Sequence, residues 1–230
     1  MALALIVGVG DGLSASLARK LHSRGYSMIL AARDIEKLDD LAAEIGAKTV
    51  SCDAARPEDV KRLFESVDAA SGDLSIAIYN PSARTKGALI DLDPEAVRTS
   101  LEVTAYGAFL MAQQAARRMV RQQAGSILFT GASAGVKGFP RSAPFAMGKF
   151  ALRGLAQSMA RELHPQGVHV GHVVIDGSIG SAGSTGQSTK GKPDSQLDPD
   201  AIADTYLSLI DQPRSAWAWE IEVRPWVETF

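Results

Sequence analysis

Short apolar runs alternate with longer segments of helical period along nearly the whole chain. The first run, residues 2–7, precedes a segment in which Leu13, Leu17 and Leu21 recur every four residues. This alternation predicts βαβ units, in which parallel strands form one sheet and the connecting helices cover both of its faces. We therefore predict a single α/β domain, residues 1–230, built on a doubly wound, seven-stranded parallel sheet.

The ends of the predicted elements carry their own signals. Asp93 and Asp198 each precede a proline, which predicts an N-cap and a proline in the first turn of a helix. Asp34 is likewise predicted to cap the helix that Gly46 ends. The predicted strands are 2–7, 26–31, 48–52, 74–79, 126–130, 168–175 and 217–223. The predicted helices are 12–24, about 34–46, 57–70, 94–122, 142–163 and one that begins at residue 199.

Composition argues against several classes of function. The formal net charge is -2, so the chain lacks the basic surplus typical of proteins that bind nucleic acid or anionic membranes. Cys52 is the single cysteine, which excludes an internal disulfide and favours a reducing, cytoplasmic setting. The four histidines are scattered, so we predict no metal site.

Glycines are concentrated in the predicted turn after the first strand. Gly8, Gly10 and Gly12 precede Leu13 and Ser14 at the start of the first helix. Glycines let a backbone turn tightly beside a pyrophosphate, whose charge is attracted by the free N–H groups of a helix start. The position of the turn predicts dinucleotide binding, with a purely structural βα turn as the alternative. Ser14 stands where a third glycine of G-x-x-x-G-x-G is expected.

Charged residues near this turn bear on which dinucleotide is bound. Arg33 follows the second predicted strand, where a guanidinium can pair with the 2′-phosphate of NADP(H) and a carboxylate would bind the ribose diol of NAD(H). We therefore expect NADP(H) to be preferred over NAD(H). Asp11, inside the glycine turn, argues against phosphate binding, and a solvated surface charge is the alternative role of Arg33.

A segment rich in Gly, Ser and Thr, residues 178–198, follows the sixth predicted strand. Doubly wound sheets bind ligands at the carboxyl ends of their strands, and long loops there are often lids. We predict a flexible substrate lid here, with a functionless insertion as the alternative.

Several motifs occur in the order and spacing of a known family, and the chain resembles the short-chain dehydrogenase/reductases. The resemblance covers nearly the whole chain and implies a Rossmann fold with strand order 3-2-1-4-5-6-7. It rests on the glycine turn, Arg33, Cys52-Asp53, Tyr79-Asn80-Pro81-Ser82, the segment 103–110, and Phe145 to Lys149.

The resemblance also implies roles for individual residues in cofactor binding. Asp53 would face the adenine ring, and Asn80 would hold the turn after the fourth strand beside the cofactor. Lys149 would contact the nicotinamide ribose. Gly177 and Ile179 would lie near the carboxamide.

Three of the four positions that carry the family's chemistry are changed. Phe145 occupies the position of the proton-donating tyrosine, Ala132 that of the serine and Thr104 that of the asparagine, whereas Lys149 is kept. A phenylalanine ring has no acidic proton, and an alanine has no donor. Ser133 is a possible substitute for the lost serine, although an ordinary loop residue is the simpler interpretation. Tyr79 is interpreted as core.

Three functions remain open on these residues. The first is an oxidoreductase that transfers hydride to or from a carbonyl, alcohol or activated double bond of a small-molecule substrate by an atypical proton route. The second is an inactive NADP(H)-binding sensor or assembly subunit, and the third is a scaffold without cofactor. The resemblance implies a homodimer or homotetramer formed by the predicted helices 94–122 and 142–163. Their alanines are either at that interface or packed within the chain: Ala105, Ala108, Ala112, Ala116, Ala151 and Ala156.

Overall fold

A computed structural model describes residues 2–180 and 194–228, and one α/β domain contains them. Its main sheet has seven parallel strands in the order β3-β2-β1-β4-β5-β6-β9. The strands are β1 Ala2–Val7, β2 Ser27–Ala32, β3 Lys48–Ser51, β4 Asp73–Tyr79, β5 Ser126–Thr130, β6 His169–Ile175, β7 Ser178–Ile179, β8 Gln196–Leu197 and β9 Glu220–Val223. The helices are α1 Leu13–Ser23, α2 Asp39–Ile45, α3 Pro57–Asp68, α4 Pro94–Leu101, α5 Gly107–Gln122, α6 Ala143–Leu163 and α7 Pro199–Ile210. The predicted strand order is confirmed, with β9 as the seventh strand.

Two hydrophobic cores lie on opposite faces of this sheet. Because side chains alternate along β1, Leu3 and Leu5 face one core and Ala4 and Ile6 face the other. Helices α3, α5 and α6 cover the first face, and α1, α2 and α7 cover the second. The central strands are therefore buried on both sides, as their uninterrupted apolar sequences predict.

Helix capping follows the sequence at two sites and departs from it at a third. Asp93 accepts hydrogen bonds from the backbone N–H groups of Glu95 and Ala96, and Asp198 caps α7 by accepting the N–H of Asp200 at 2.9 Å. The predicted cap at Asp34 is wrong. A 3₁₀ turn, Glu36–Leu38, precedes α2 without a side-chain cap, and the Asp34 carboxylate instead pairs with Lys37 at 3.0 Å.

The predicted helix 94–122 is interrupted by a π-helical turn, Glu102–Tyr106, between α4 and α5. Directly after it, Gly107 packs against the Tyr79 hydroxyl group and the backbone of Ala54. A β-carbon at Gly107 would lie 2.6 Å from the Ala54 carbonyl oxygen. The π turn contains the buried Thr104, and such turns are frequent at functional sites.

The chain differs from prediction again after β6. The seventh strand of the sheet is shorter than the predicted 217–223, because Trp217 does not pair along β6. Its ring stacks on His169 with centroids 4.7 Å apart. Strands β7 and β8 pair with each other in parallel, whereas most of the predicted lid, residues 181–193, lies outside the described residues. Within the described part of the chain, no helix is long and apolar enough to cross a membrane.

Candidate active site

The glycine turn joins β1 to α1 at the carboxyl edge of the sheet. Gly8 has a φ of +81°, and its N–H donates to the Ala31 carbonyl at 2.8 Å. A β-carbon at Gly8 would lie 2.6 Å from the Pro81 ring, so only glycine fits there. Beside it, β-carbons at Gly10 and Gly12 would meet nothing within 4 Å. The turn is therefore closed on the side of Pro81 and open above the next two glycines.

The open side of the turn leads to the start of α1. Gly12 is the N-cap residue, and no side chain caps the helix. Leu13 is buried, so only its backbone can contribute to a binding site there. Unfilled N–H groups beside an open glycine cradle fit a pyrophosphate, as the pattern predicts.

Asn80 connects this turn to the end of β4. Its side-chain amide donates to Ser14 Oγ at 2.7 Å and to the Gly8 carbonyl at 3.2 Å. Ser14 Oγ in turn donates to the same carbonyl at 3.1 Å. The serine that replaces the expected glycine thus helps to hold the turn in place.

A cleft of about 270 Å³ lies beside the turn at the ends of β2 and β3. Arg33 and Asp53, the residues predicted to contact the adenosine part of the cofactor, both line this adenosine cleft. Arg33 is exposed and forms no ion pair with the described residues. The Asp53 carboxylate accepts the Ala55 N–H at 3.1 Å and lies 3.7 Å from Arg56. Cys52 is buried in the wall, and burial raises the pKa of its thiol to about 12.

A second pocket of about 460 Å³ lies at the ends of β4, β5 and β6, and Lys149 reaches it from α6. Its ammonium is buried and donates to the Thr130 carbonyl at 2.6 Å. Burial, aided by the nearby Arg84 cation, lowers the pKa of Lys149 to about 7. A lysine in this state exchanges protons near neutral pH. We call this space, lined also by Asn80, Ala132, Phe145, Gly177 and Ile179, the reaction pocket.

Phe145 and Ala132 form one wall of the reaction pocket. Both are nearly buried, and with Ala134 they form a small apolar cluster. The guanidinium carbon of Arg84 lies 4.1 Å from the Phe145 ring centroid, and Lys149 Nζ lies 5.8 Å from it. The wall therefore carries two cations around an apolar ring.

Arg84 is a site residue that sequence reasoning missed. It lies in the loop after β4, four residues beyond Asn80, at the edge where the other predicted site residues meet. A basic residue just past the end of a central strand is a signal that was present in the sequence but is not specific by itself.

Thr104 holds the loop that carries Arg84. Its hydroxyl accepts the N–H of Ala83 at 3.1 Å, and Ser100 Oγ donates to the Ala83 carbonyl at 2.9 Å. Thr104 and Ser100 are both fully buried. The residue directly before Arg84 is therefore held at both of its backbone polar groups.

An adjoining space of about 430 Å³, here called the outer cavity, opens beside the reaction pocket. Ser133 lines the outer cavity and not the reaction pocket, which Lys149 lines. Arg84, Ala132 and Phe145 line both spaces. Gly177 also borders both; its φ is +155°, and a β-carbon there would lie 2.9 Å from Pro225. Arg84 thus stands where the two spaces meet.

Comparison with known proteins assigns the arrangement to a family. A model of the family described as short chain dehydrogenase matches residues 2–188. The chain belongs to the short-chain dehydrogenase family. This confirms the predicted membership, and a family of dehydrogenases places the chain among oxidoreductases.

Relatives of known structure and sequence agree with that assignment. A short-chain dehydrogenase from Rhodopseudomonas palustris is 33% identical, with a TM-score of 0.85 over 98% of this chain and 99% of that one. A metagenomic short-chain oxidoreductase solved in complex with NADP is 27% identical, with a TM-score of 0.85 over 99% and 98%. An uncharacterised oxidoreductase of Staphylococcus aureus strain N315 is 27% identical over 97% of this chain and 96% of its own length. The short-chain dehydrogenase fold is therefore matched over essentially the full chain.

Proposed function

We propose that the protein is an NADP(H)-dependent oxidoreductase that acts on a carbonyl, an alcohol or an activated double bond by an atypical proton route. One observation carries the proposal: a buried lysine, Lys149, reaches the reaction pocket with a pKa of about 7, beside a ring that has no hydroxyl group. This lysine replaces the missing tyrosine as the source of the proton.

Cofactor binding is assigned to the carboxyl edge of the sheet. Gly8, Gly10, Gly12 and the Leu13 backbone receive the pyrophosphate, because the cradle is open and α1 is uncapped. Asp53 faces the adenine, and Asn80, Lys149, Gly177 and Ile179 surround the nicotinamide. The relative solved with NADP supports a nicotinamide cofactor for this chain.

The preference for NADP(H) rests on Arg33. Its side chain is exposed in the adenosine cleft, and no described residue neutralises it. A guanidinium fits a 2′-phosphate with two parallel hydrogen bonds. A carboxylate at the end of β2 would favour NAD(H), but Arg33 occupies that position. The next residue, Asp34, has a carboxylate that is paired with Lys37.

The chemistry divides between the cofactor and the chain. When bound, the cofactor supplies or accepts the hydride at the reacting carbon of the substrate. Lys149 delivers one proton to the substrate oxygen as the ammonium form and is left as the neutral amine. Burial makes the neutral amine accessible near pH 7, so Lys149 is reprotonated from solvent between turnovers. In the oxidative direction, the neutral amine takes the proton from the alcohol.

A second function is favoured by the apolar wall of Ala132 and Phe145, which has no proton donor of its own. A sensor or assembly subunit that binds NADP(H) without turnover would keep the glycine turn and Arg33 but would not need a donor. A scaffold that binds no cofactor would need neither of them. Ser133 is a weaker substitute donor than Lys149, because it lines only the outer cavity.

Self-association is part of the proposal, and the surface of α5 and α6 supports it. Tyr106, Phe109, Met147 and Phe150 are each 41–50% exposed there. Ala108, Ala112 and Ala156, by contrast, are buried within the chain itself, so these three alanines do not form the interface. Light scattering should give the mass of a homodimer or homotetramer. The single Cys52 remains the basis for proposing a cytoplasmic location.

Titration with NADPH and NADH, followed by quenching of tryptophan fluorescence, tests the proposal first. Micromolar NADPH binding with weaker NADH binding is expected, and binding of neither nucleotide would leave only the scaffold. A panel of carbonyl compounds then separates the oxidoreductase from the sensor. NADPH binding without consumption across the panel would favour the sensor.

A further inference from the structure

Arg84 has the surroundings of a ligand-binding cation. It forms no ion pair with the residues that the structure describes, and its guanidinium lies over the Phe145 ring. A guanidinium on an aromatic face keeps its hydrogen-bond donors at the edge, free for a planar partner. Arg84 also borders the reaction pocket and the outer cavity at once. A ligand that spans the two spaces would meet these donors.

The charges around Arg84 favour an anionic partner. Arg84, which is exposed, and Lys149, which is buried, both face the Phe145 ring and are less than about 10 Å apart, so their positive charges repel each other. Two carboxylates also border the outer cavity. Asp176 is already paired with Arg224 at 3.3 Å and Lys137 at 3.7 Å, whereas Glu228 is exposed near the C-terminus. A bound anion would relieve the repulsion between the two cations.

Two of the three changed positions, Phe145 and Thr104, contact Arg84 or hold its loop. Phe145 provides the face on which the guanidinium lies, and a phenylalanine does so without a hydroxyl group. Ala132 leaves the wall beside this ring free of a longer side chain. Thr104 holds Ala83, the residue before Arg84, through its N–H. Phe145 and Thr104 thus both favour one position of the Arg84 side chain.

From this arrangement we infer that Arg84 binds a carboxylate of the substrate, and that the substrate is an oxo acid or the matching hydroxy acid. Its carboxylate would pair with Arg84 while its reacting oxygen faces Lys149. The inference rests on the proposed function, since it names the substrate class of the same site. Arg84 is then a substrate-binding residue, and Thr104 is a positioning residue that acts through it.

Matched substrates test the inference on the enzyme with NADPH. We would compare kcat/KM for 2-oxo-4-phenylbutanoate and for its neutral ethyl ester. In the wild type, kcat/KM is expected to be at least tenfold higher for the acid than for the ester. Arg84→Gln should lower kcat/KM for the acid about 10- to 100-fold by raising its KM, and should leave kcat/KM for the ester unchanged. Arg141→Gln removes the same charge from an exposed site outside both spaces and should leave the ratio unchanged. An ester preferred by the wild type, or equal losses in both variants, would overturn the inference.

The positioning role of Thr104 has its own comparison. Thr104→Val keeps the shape of the side chain and removes the hydroxyl that accepts the Ala83 N–H, whereas Thr104→Ser retains it. The acid-to-ester ratio should fall several-fold in the valine variant and recover in the serine variant. A ratio that does not differ between these two variants would contradict the positioning role.

A binding measurement keeps the inference separate from turnover. Oxamate, a carboxylate probe, and oxamide, its neutral counterpart, are titrated calorimetrically into the protein saturated with NADP⁺. Oxamate should bind, and Arg84→Gln should weaken its binding at least tenfold, whereas oxamide should not respond to the variant. If NADPH binds and the ester is reduced but oxamate does not bind, the inference fails and the oxidoreductase stands. If oxamate binds through Arg84 but no substrate is reduced, the anion site stands and the proposed activity fails.

Discussion

The guanidinium carbon of Arg84 lies 4.1 Å from the centroid of the Phe145 ring. A cation over this ring face contributes about 0.5–1 kcal/mol when the pair is partly exposed, which is enough to favour one side-chain position. The Phe145 ring therefore holds a charge on its face and has no hydroxyl group to donate. In the proposed function, the proton must come from another group.

If Lys149 is that group, the rate of carbonyl reduction depends on its ammonium form. With a pKa of about 7, kcat/KM should be constant below pH 7 and fall tenfold per pH unit above it, and alcohol oxidation should show the opposite dependence. Steady-state kinetics from pH 5.5 to 9 measures both. Lys149→Arg keeps the cation but stays protonated, so the break near pH 7 should vanish. A break that persists in this variant would assign the proton to another group.

The same lysine should make the free energy of unfolding depend on pH. Its pKa is lowered from 10.5 to about 7 by folding, so between these values the unfolded chain binds a proton that the folded chain does not. Stability is therefore lost as the pH falls through this window and is constant below it. Relative to Lys149→Met, the wild type should gain about 2 kcal/mol between pH 7.5 and 9.5. Urea unfolding of both proteins without cofactor checks this, and parallel pH curves would contradict it.

Restoring the family's donors should raise the rate with neutral carbonyl substrates. Phe145→Tyr with Ala132→Ser places a phenol beside the cations of Arg84 and Lys149, which favour its ionised form. A gain of about 10²- to 10⁴-fold in NADPH consumption is expected. Phe145→Leu with Ala132→Ser, which restores no acid at the tyrosine position, is the control. A double variant no faster than this control would show that the missing acid is not what limits the wild type.

Cofactor preference should depend on Arg33. Arg33→Ala removes the cation of the adenosine cleft and should weaken NADPH binding about 10- to 100-fold, with little effect on NADH. Lys61→Ala, on the exposed side of α3, removes an equal charge outside the cleft and serves as the control. Fluorescence titration measures all four affinities. An equal loss for NADPH and NADH would exclude a 2′-phosphate contact.

Substitutions of the turn glycines should affect stability and NADPH binding differently. Gly8 has a φ of +81°, and a β-carbon there would lie 2.6 Å from Pro81. Gly8→Ala should therefore lower the free energy of unfolding by about 3 kcal/mol or more. Gly25 has a φ of +87°, but a β-carbon there would meet no atom within 4 Å. Gly25→Ala should therefore lower the free energy of unfolding only by the backbone strain, about 1–2 kcal/mol. Gly10→Ala has neither problem and should unfold like the wild type while binding NADPH less tightly. Thermal unfolding and titration test the set, and unchanged NADPH affinity in Gly10→Ala would remove the cradle from the site.

Hydrophobic periodicity was sufficient to locate the seven strands of the main sheet, and the family resemblance gave their order, but neither gave every boundary. The 3.6-residue period continues through Glu102–Tyr106, so nothing local distinguishes the π turn, which permits the close approach of Gly107 to Ala54. Trp217 belongs to a residue type that is common in strands, yet it lies outside β9 and its ring stacks on His169. In both places a contact between distant parts of the chain overrides the local pattern.

The predicted site residues illustrate the same limit. Gly8, Arg33, Asn80 and Lys149 could be located by their spacing, and the fold brings them to the same edge of the sheet. Arg84 could not, because its role depends on the Phe145 ring, 61 positions along the chain, and on two buried hydroxyl groups of α4 and the π turn. A sequence motif identifies residues that lie at fixed spacing along the chain. It does not identify contacts between distant loops and helices, which are seen only in the folded structure.

The short pairing of β7 with β8 has a consequence for how this protein can diversify. Ser178 pairs with Gln196 and Ile179 with Leu197, so the two ends of the intervening sequence are fixed one strand spacing apart, about 4.8 Å. Once the ends are fixed, doubling the length between them costs only about 0.6 kcal/mol of closure entropy. The β7–β8 pair, whose Ser178 and Ile179 line the reaction pocket, is therefore a point at which sequences of different length can be exchanged at a small cost in folding free energy.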